Sequence, residues 1–446
     1  MTSDRRLALL ALVGLLAACT EMLPTAEGDD FVRGGIAVEV RIPASDFLDR
    51  VRVYGGYGRA SELGGGFIAH RFGAGADPVT DPGLEAATLL RFGRYPAVVT
   101  VNDTTGTSRP DSSLTFLSGR IVARFDTLGS VHSGPVAIRA DATTEAWDGV
   151  SATWEYAVDT LLNQVPWSQP GGGALQEIGE WEWDPEASDS LIIELDSAQV
   201  AAWSDTTDLT RGVRLSTEAP GVRLQLRSAL MWLETLPSLN PDTLIQVLAG
   251  TDNITFIYNP LPTSPENGMR VGGAPAWRTV LDLDIPPALD GPPALCEQLG
   301  CPLELSEDHI SYAALRLTTQ AERAAFAPSD TISIDLRMVM VPDVLPKSPL
   351  GPSLSGIAGV ILAPEWFAPP GGHVVEVPVT GLIQDLLRGE TTEGDAVSTT
   401  VALLSTFEPL SIEYASFEGL GAAPGGPARP GEPELRMILN YVRGRN

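Results

Sequence analysis

The feature that most constrains this chain is a two-residue periodicity. Ile36, Val38, Val40 and Ile42 alternate with Ala37, Glu39 and Arg41, as in a strand with one face in a core and the other toward water. Strand-like segments recur at 121–125, 136–139, 191–195, 222–226, 279–285, 312–317, 332–340, 374–377, 401–404 and 435–439. The intervals are rich in turn formers, with 45 Gly and 36 Pro to supply them. Helical spacing has one good case, 379–389, which closes on a glycine. Many short strands with such breaks predict an all-β fold, a sandwich or a barrel.

The pattern repeats. Segment 191–195, with the stretch down to Trp203, parallels 374–378 and the apolar spacing of 382–387. Segment 221–229 parallels 409–416, and 241–247 parallels 433–439. The order strand, short helix, strand, closing strand is thus used twice. This predicts two tandem β-sandwich domains, 31–249 and 250–446, and 446 residues are enough for both.

The N-terminus sets an expected location. Arg5 and Arg6 precede an apolar run from Leu7 to Leu16, about the length of a signal-peptide core and too short to span a bilayer. Leu16-Ala17-Ala18-Cys19 then resembles the bacterial lipobox. The resemblance implies a signal peptide at 1–18, lipid on Cys19 and a lipidated tether at 19–30. Each buried CH₂ of such an anchor contributes about 0.8 kcal/mol, so two or three chains hold firmly. Thr20 follows the cysteine, where an aspartate would signal inner-membrane retention. The expected place is therefore the outer membrane, facing the periplasm or the surface.

Composition narrows the partners. The net charge of −28 repels phosphate backbones, so nucleic-acid binding is disfavoured. Hydrophobic content of 43% supports packed cores. Cys296 and Cys301 stand close together in an exported chain, so a local disulfide is expected, contributing about 2 kcal/mol by ring closure. No metal site is expected of them, because further ligands are missing nearby. Acidic residues such as Asp103, Asp111, Asp205, Asp208 and Glu218 raise a structural calcium as the alternative to solvated loop charge. No cofactor is otherwise implied.

Segment 146–154, with its Trp147-Asp148 pair and Thr153-Trp154, resembles a motif of the DNRLRE domain family, and 165–173 resembles the Gly-rich stretch that follows it there. In the second half, 271–281 and 308–317 resemble that family's core strands, although the tryptophan motif is missing. The resemblance implies jelly-roll-like β-sandwiches of exported proteins, some of them similar to carbohydrate-binding modules. Six tryptophans fall between Trp147 and Trp203, and aromatic faces stack on sugar rings. Trp181 and Trp183 lie two apart and so share a strand face. With Glu180, Glu182 and Asp184 they form the expected sugar platform, and Trp147 and Trp154 are further ligand-binding candidates. The alternative is that these rings fill a core.

Catalytic residues are not expected. His70, His132, His309 and His373 stand outside any hydrolase motif, and paired carboxylates cannot be chosen from 57 acidic residues. The expected function is non-catalytic binding of polysaccharide or cell-surface components by an envelope lipoprotein. The alternative is a structural or assembly lipoprotein acting through protein contacts. The first requires exposed aromatics on a sandwich face or loop end. The second requires buried tryptophans and a broad apolar surface.

Overall fold

The computed structural model describes residues 35–442, apart from 56–64, 77–80, 260–267, 274–275, 292, 294–295, 298–299, 324, 357–358, 393, 407–412 and 422–429. Cys19, the signal peptide and the tether lie outside the described residues. No helix among the described residues is long and apolar enough to cross a membrane.

From residue 35 the described chain starts in one β-sandwich, leaves to build a second, and returns to finish the first. It opens with β1 (Gly35–Pro43) and β2 (Leu48–Tyr54). The inserted unit follows: β3 (Phe67–Phe72), β4 (Leu84–Phe92), β5 (Val99–Asn102), β6 (Ser108–Asp111), β7 (Leu114–Phe125), β8 (Val136–Thr143), β9 (Tyr156–Asp159), β10 (Gln164–Pro166), β11 (Leu175–Trp183) and β12 (Ser190–Leu195). After the short helix Ser197–Ala202 come β13 (Val213–Ser216), β14 (Val222–Pro237), β15 (Ile245–Ala249) and β16 (Thr251–Asn259). The chain then returns through β17 (Met269–Gly272), β18 (Arg278–Leu283), β19 (Ala288–Leu289), β20 (Leu303–Glu304), β21 (Ile310–Gln320), β22 (Ile332–Val339), β23 (Leu350–Ser353), β24 (Val360–Leu362) and β25 (Gly371–Pro378). The helix Thr380–Arg388 precedes β26 (Thr400–Ser405), β27 (Tyr414–Phe417) and β28 (Glu434–Val442).

The all-β expectation holds, and every segment read as a strand lies wholly or mostly in one. The expected helix is present too, stopped by Gly389 in the left-handed region at φ 86°. Cys296 and Cys301 are bonded at 2.03 Å.

The expected boundaries need correction. β1 pairs with β28 over its whole length, and β2 pairs with β18. Residues 35–54 therefore belong with the C-terminal strands and not with 65–249. β15 and β16 stay with the first unit, through β14 and β4, which moves the junction past 250 to the 260–268 region. Period-two alternation identifies a strand but carries no information about its partner.

The two sandwiches match strand for strand. One sheet of the first unit runs β16–β4–β13–β8–β11; its counterpart runs β2–β18–β26–β22 and then β23 or β24. The other runs β15–β14–β7–β12, against β1–β28–β21–β25. β14 crosses from one sheet to the other, pairing first with β3 and then with β7. This leaves the first unit close to a closed barrel. In the second unit β27 and β28 share that path. The repeat read from sequence is real in its strand–helix–strand order, but the counterpart of β28 is the second half of β14. The counterpart of β15 is β1, from the opposite end of the chain.

Each sandwich has its own core, and a third cluster joins them. Phe67, Phe72, Leu84 and Phe256 of the first unit pack with Trp277, Phe326 and Tyr414 of the second. Phe326 stacks on Tyr414 at 5.5 Å and meets Phe72 edge-on at 5.6 Å. The ion pairs Arg323–Asp81 and Lys347–Asp159 also cross the junction.

Candidate binding site

The expected sugar platform on β11 does not form. Trp183 is 1% exposed, packs against Phe125 at 4.8 Å, and donates its Nε1 hydrogen to the Ser188 carbonyl at 3.0 Å. Trp181 shares that inward face and is half-buried over Gly179, where a Cβ would lie 2.7 Å from its ring. Glu180 and Glu182 take the solvent face. The physical reason is alternation: acidic residues at every second position leave the tryptophans only the core side.

Trp147 and Trp154 are also structural. Trp147 is 2% exposed beneath the Arg91 guanidinium, 4.1 Å from its ring. Arg91 donates to the carbonyls of Trp147, Leu209 and Arg211 and so pins two loops to β4. Trp154 packs with Trp147 and Trp167 over Ala87, Leu89 and Ile257. Segment 146–154 is thus part of a lid on the outer face of one sheet, and its rings serve to cover it.

The acidic residues act as turn and loop anchors. Asp103 accepts from the backbone of Thr105 and Thr107, Asp205 from Thr207, and Asp208 from Thr210. Asp111, 3% exposed, accepts from the amides of Ser113 and Leu239 and from the Ser238 hydroxyl. Among the described residues no group of three or more His, Cys, Asp or Glu side chains is placed to hold a metal ion. His70 bonds Glu85 at 2.8 Å, His132 meets Trp183 edge-on, His309 lies against Tyr441, and His373 stacks on Trp366.

A surface that sequence reasoning missed lies on β12, β7, β14 and β15. The outward residues of these strands fall in register. One row is Ile192, Val122 and Leu230; the next is Glu194, Arg120, Trp232 and Leu248. Ile192 is 48% exposed, Leu248 41% and Leu230 36%, with Val122 and Trp232 half-buried between them. Arg124 and Glu234 flank the rows.

The second sandwich supplies an internal control. Setting the Phe125–Leu226 pair of the first unit on the Thr319–Phe417 pair of the second aligns the two sheets. Ile192, Val122 and Leu230 then fall on Glu376, Arg316 and Glu434, and Trp232 and Leu248 fall on Arg436 and Arg41. Those residues form an ion ladder. Arg316 contacts both Glu376 and Glu434, Arg436 contacts Glu376 at 3.3 Å and Glu39 at 2.9 Å, and Arg41 contacts Glu39 at 3.0 Å. The hydrogen bonds from Arg436 and Arg41 hold the Glu39 carboxyl down at about 2. One sheet face carries an ion ladder, and its counterpart carries an apolar row bordered by Arg120, Glu194, Arg124 and Glu234.

The other two outer faces are covered. Val280, Val339, Ala402 and Leu404 lie under Tyr54, Leu345 and Leu350. The β4–β16 face lies under the tryptophan lid and the second sandwich. Among the described residues, the Ile192–Val122–Leu230 face has no such cover.

A cleft of about 760 Å³ opens between the two units. Phe72, Val131, Arg223 and Gln225 line one wall, and Ala327, Ser329, Asp330 and Glu413 line the other. Arg223 donates to the Gly129 carbonyl at 2.9 Å and lies 3.8 Å from Glu413, which accepts from the Ser329 amide and hydroxyl. Burial pushes the Arg223 guanidinium down, against the pull of Glu413.

No family model matches this chain, and no curated protein does. Among solved structures, the C-terminal domain of the Streptococcus pyogenes antigen I/II-family protein AspA matches with a TM-score of 0.13 and 9% identity, over 78% of this chain and 98% of that one. A structure named BspA_C_mut matches with a TM-score of 0.08 and 8% identity, over 93% of this chain and 92% of that one. At such scores neither likeness bears on fold or function.

Proposed function

We propose that this chain is a non-catalytic assembly protein of the bacterial envelope, which docks a partner protein on the outer face of β12, β7, β14 and β15. One observation carries the reading: equivalent positions hold a water-facing ion ladder on one sandwich and an apolar row on the other. An antiparallel sheet facing water alternates apolar and polar residues, and a contiguous apolar patch marks a contact surface. Aliphatic side chains also suit a protein better than a sugar, whose hydroxyls need hydrogen-bond partners. Arg5, Arg6 and the lipobox-like 16–19 support anchoring at the outer membrane through Cys19.

Photo-crosslinking in intact cells tests this. A photoreactive residue at Ile192 or Leu248 is expected to yield a discrete protein adduct, and one at Glu376 or Arg41 none. Equal yields from both faces would refute the reading.

The cleft favours a second reading, a neutral saccharide. Arg223, Gln225, Asp330 and Glu413 are planar polar groups suited to hydroxyls, set beside apolar walls, and sites of this size favour domain junctions. The excess of carboxylates disfavours an anionic ligand. Retention of the chain on neutral polysaccharides that falls at least tenfold in Gln225→Ala would support it. Retention unchanged in that variant, or absent altogether, would remove it.

A further inference from the structure

The pairs β1–β2 and β15–β16 do the same job in the two sandwiches. Each consecutive pair adds one edge strand to each sheet, and each can be called a clasp. In chain order the first clasp precedes the first body, β3–β14, and the second precedes the second body, β17–β28. The chain is therefore clasp, body, clasp, body. Yet β15–β16 closes the first body through β14 and β4, and β1–β2 closes the second through β28 and β18. This is a reciprocal exchange of equivalent elements between two repeats of one chain.

We infer that the edge of the second body is a docking site for the clasp of a second copy of this chain, giving a closed dimer by clasp exchange. The recognition is written in the contacts of β1–β2. The nine residues of β1 pair along β28. Ile42, Ala44, Phe47 and Leu48 enter the core of the second sandwich, each under 8% exposed. Arg52 donates to both carboxylate oxygens of Asp282, at 2.6 and 2.7 Å. These are the components of strand-addition binding: main-chain bonds for affinity, side-chain pockets for register. The clasp reaches its own second body only through the first body, from which residues 55–66 separate it. A clasp from another copy makes the same contacts, so exchange costs little beyond the linkers. The intramolecular clasp has an effective concentration in the mM range, so the monomer dominates in dilute solution and exchange grows with concentration.

Two versions of the full chain test this, each with one added cysteine, Ala37→Cys and Asn440→Cys, and each also carrying Cys19→Ser; the Cys296–Cys301 disulfide is kept intact by working without reductant. Positions 37 and 440 are cross-strand partners. The two are mixed, unfolded together, refolded and oxidised. A covalent heterodimer is expected, and its yield is expected to rise at least fivefold when protein concentration rises tenfold. Ala37→Cys mixed with Val150→Cys is expected to give no such band. The double variant in one chain reports whether this pair can bond. If it closes its own disulfide while the mixture gives no heterodimer at any concentration, the inference is overturned. If the double variant does not close, the same comparison is made at the next outward pair, Glu39 and Ile438.

Discussion

At the scale of single residues, the tryptophans carry stability. Trp183→Ala should cost about 3–5 kcal/mol, read as a lowered denaturation midpoint, because it empties a packed site between Phe125 and His132. Glu322 sets a pH dependence. Its side chain is 5% exposed, 4.0 Å from Arg270 beneath the junction. Burial pushes the carboxyl from 4.5 up to about 7, against the pull of the Ser416 hydroxyl, Arg270 and Arg323. Between those values the folded state holds a proton that the unfolded state has released, so this group's contribution is full below 4.5 and is lost as pH rises through 7. The loss amounts to about 3 kcal/mol. Glu322→Gln should flatten stability across pH 5–8; an unchanged slope in chemical denaturation would contradict this assignment. The clue to the buried tryptophans was in the sequence. In Glu180-Trp181-Glu182-Trp183-Asp184 the acids occupy one face, and an exposed platform would have turned three carboxylates into the core.

At the scale of elements, period-two alternation made the strands legible, because each half-buried strand declares itself locally. Partners were illegible, because pairing depends on loop closure across hundreds of residues. Thus likeness sets 433–439 against 241–247 as equivalent strands, whereas β28 is equivalent to the second half of β14 and takes its edge partner from residues 35–43. The docking face also left a trace. Ile121-Val122-Ala123, Leu191-Ile192-Ile193 and Leu230-Met231-Trp232-Leu233 are apolar without alternation, so at those residues both faces of the sheet are apolar. The ladder strands instead keep a charge at alternate positions, as in Leu435-Arg436-Met437 and Val375-Glu376-Val377. A chain lacking 35–54 should lose hydrogen-exchange protection in β28 and β18, because both sheets of that sandwich lose an edge strand. Protection in β14 and β4 should persist, and equal loss in both sandwiches would show the first depends on the clasp as well.

At the scale of the whole molecule, two equivalent faces differ in chemistry, one carrying an ion ladder and the other an apolar row. Net charge does not separate them, and neither did the reading of 31–249 and 250–446 as similar domains. The difference emerges only when β7 is laid on β21 in register. It then makes a strict demand: the apolar row should be dispensable for folding and indispensable for docking. The direct test gives the first sandwich the ladder of the second, as Ile192→Glu, Val122→Arg and Leu230→Glu together. Melting temperature and crosslinking from a photoreactive residue at Leu248 are read on the same variant. The expected result is a melting point within a few degrees of the parent and loss of the protein adduct. A folded variant that keeps the adduct, or a variant that unfolds because the row belongs to the core, would contradict it.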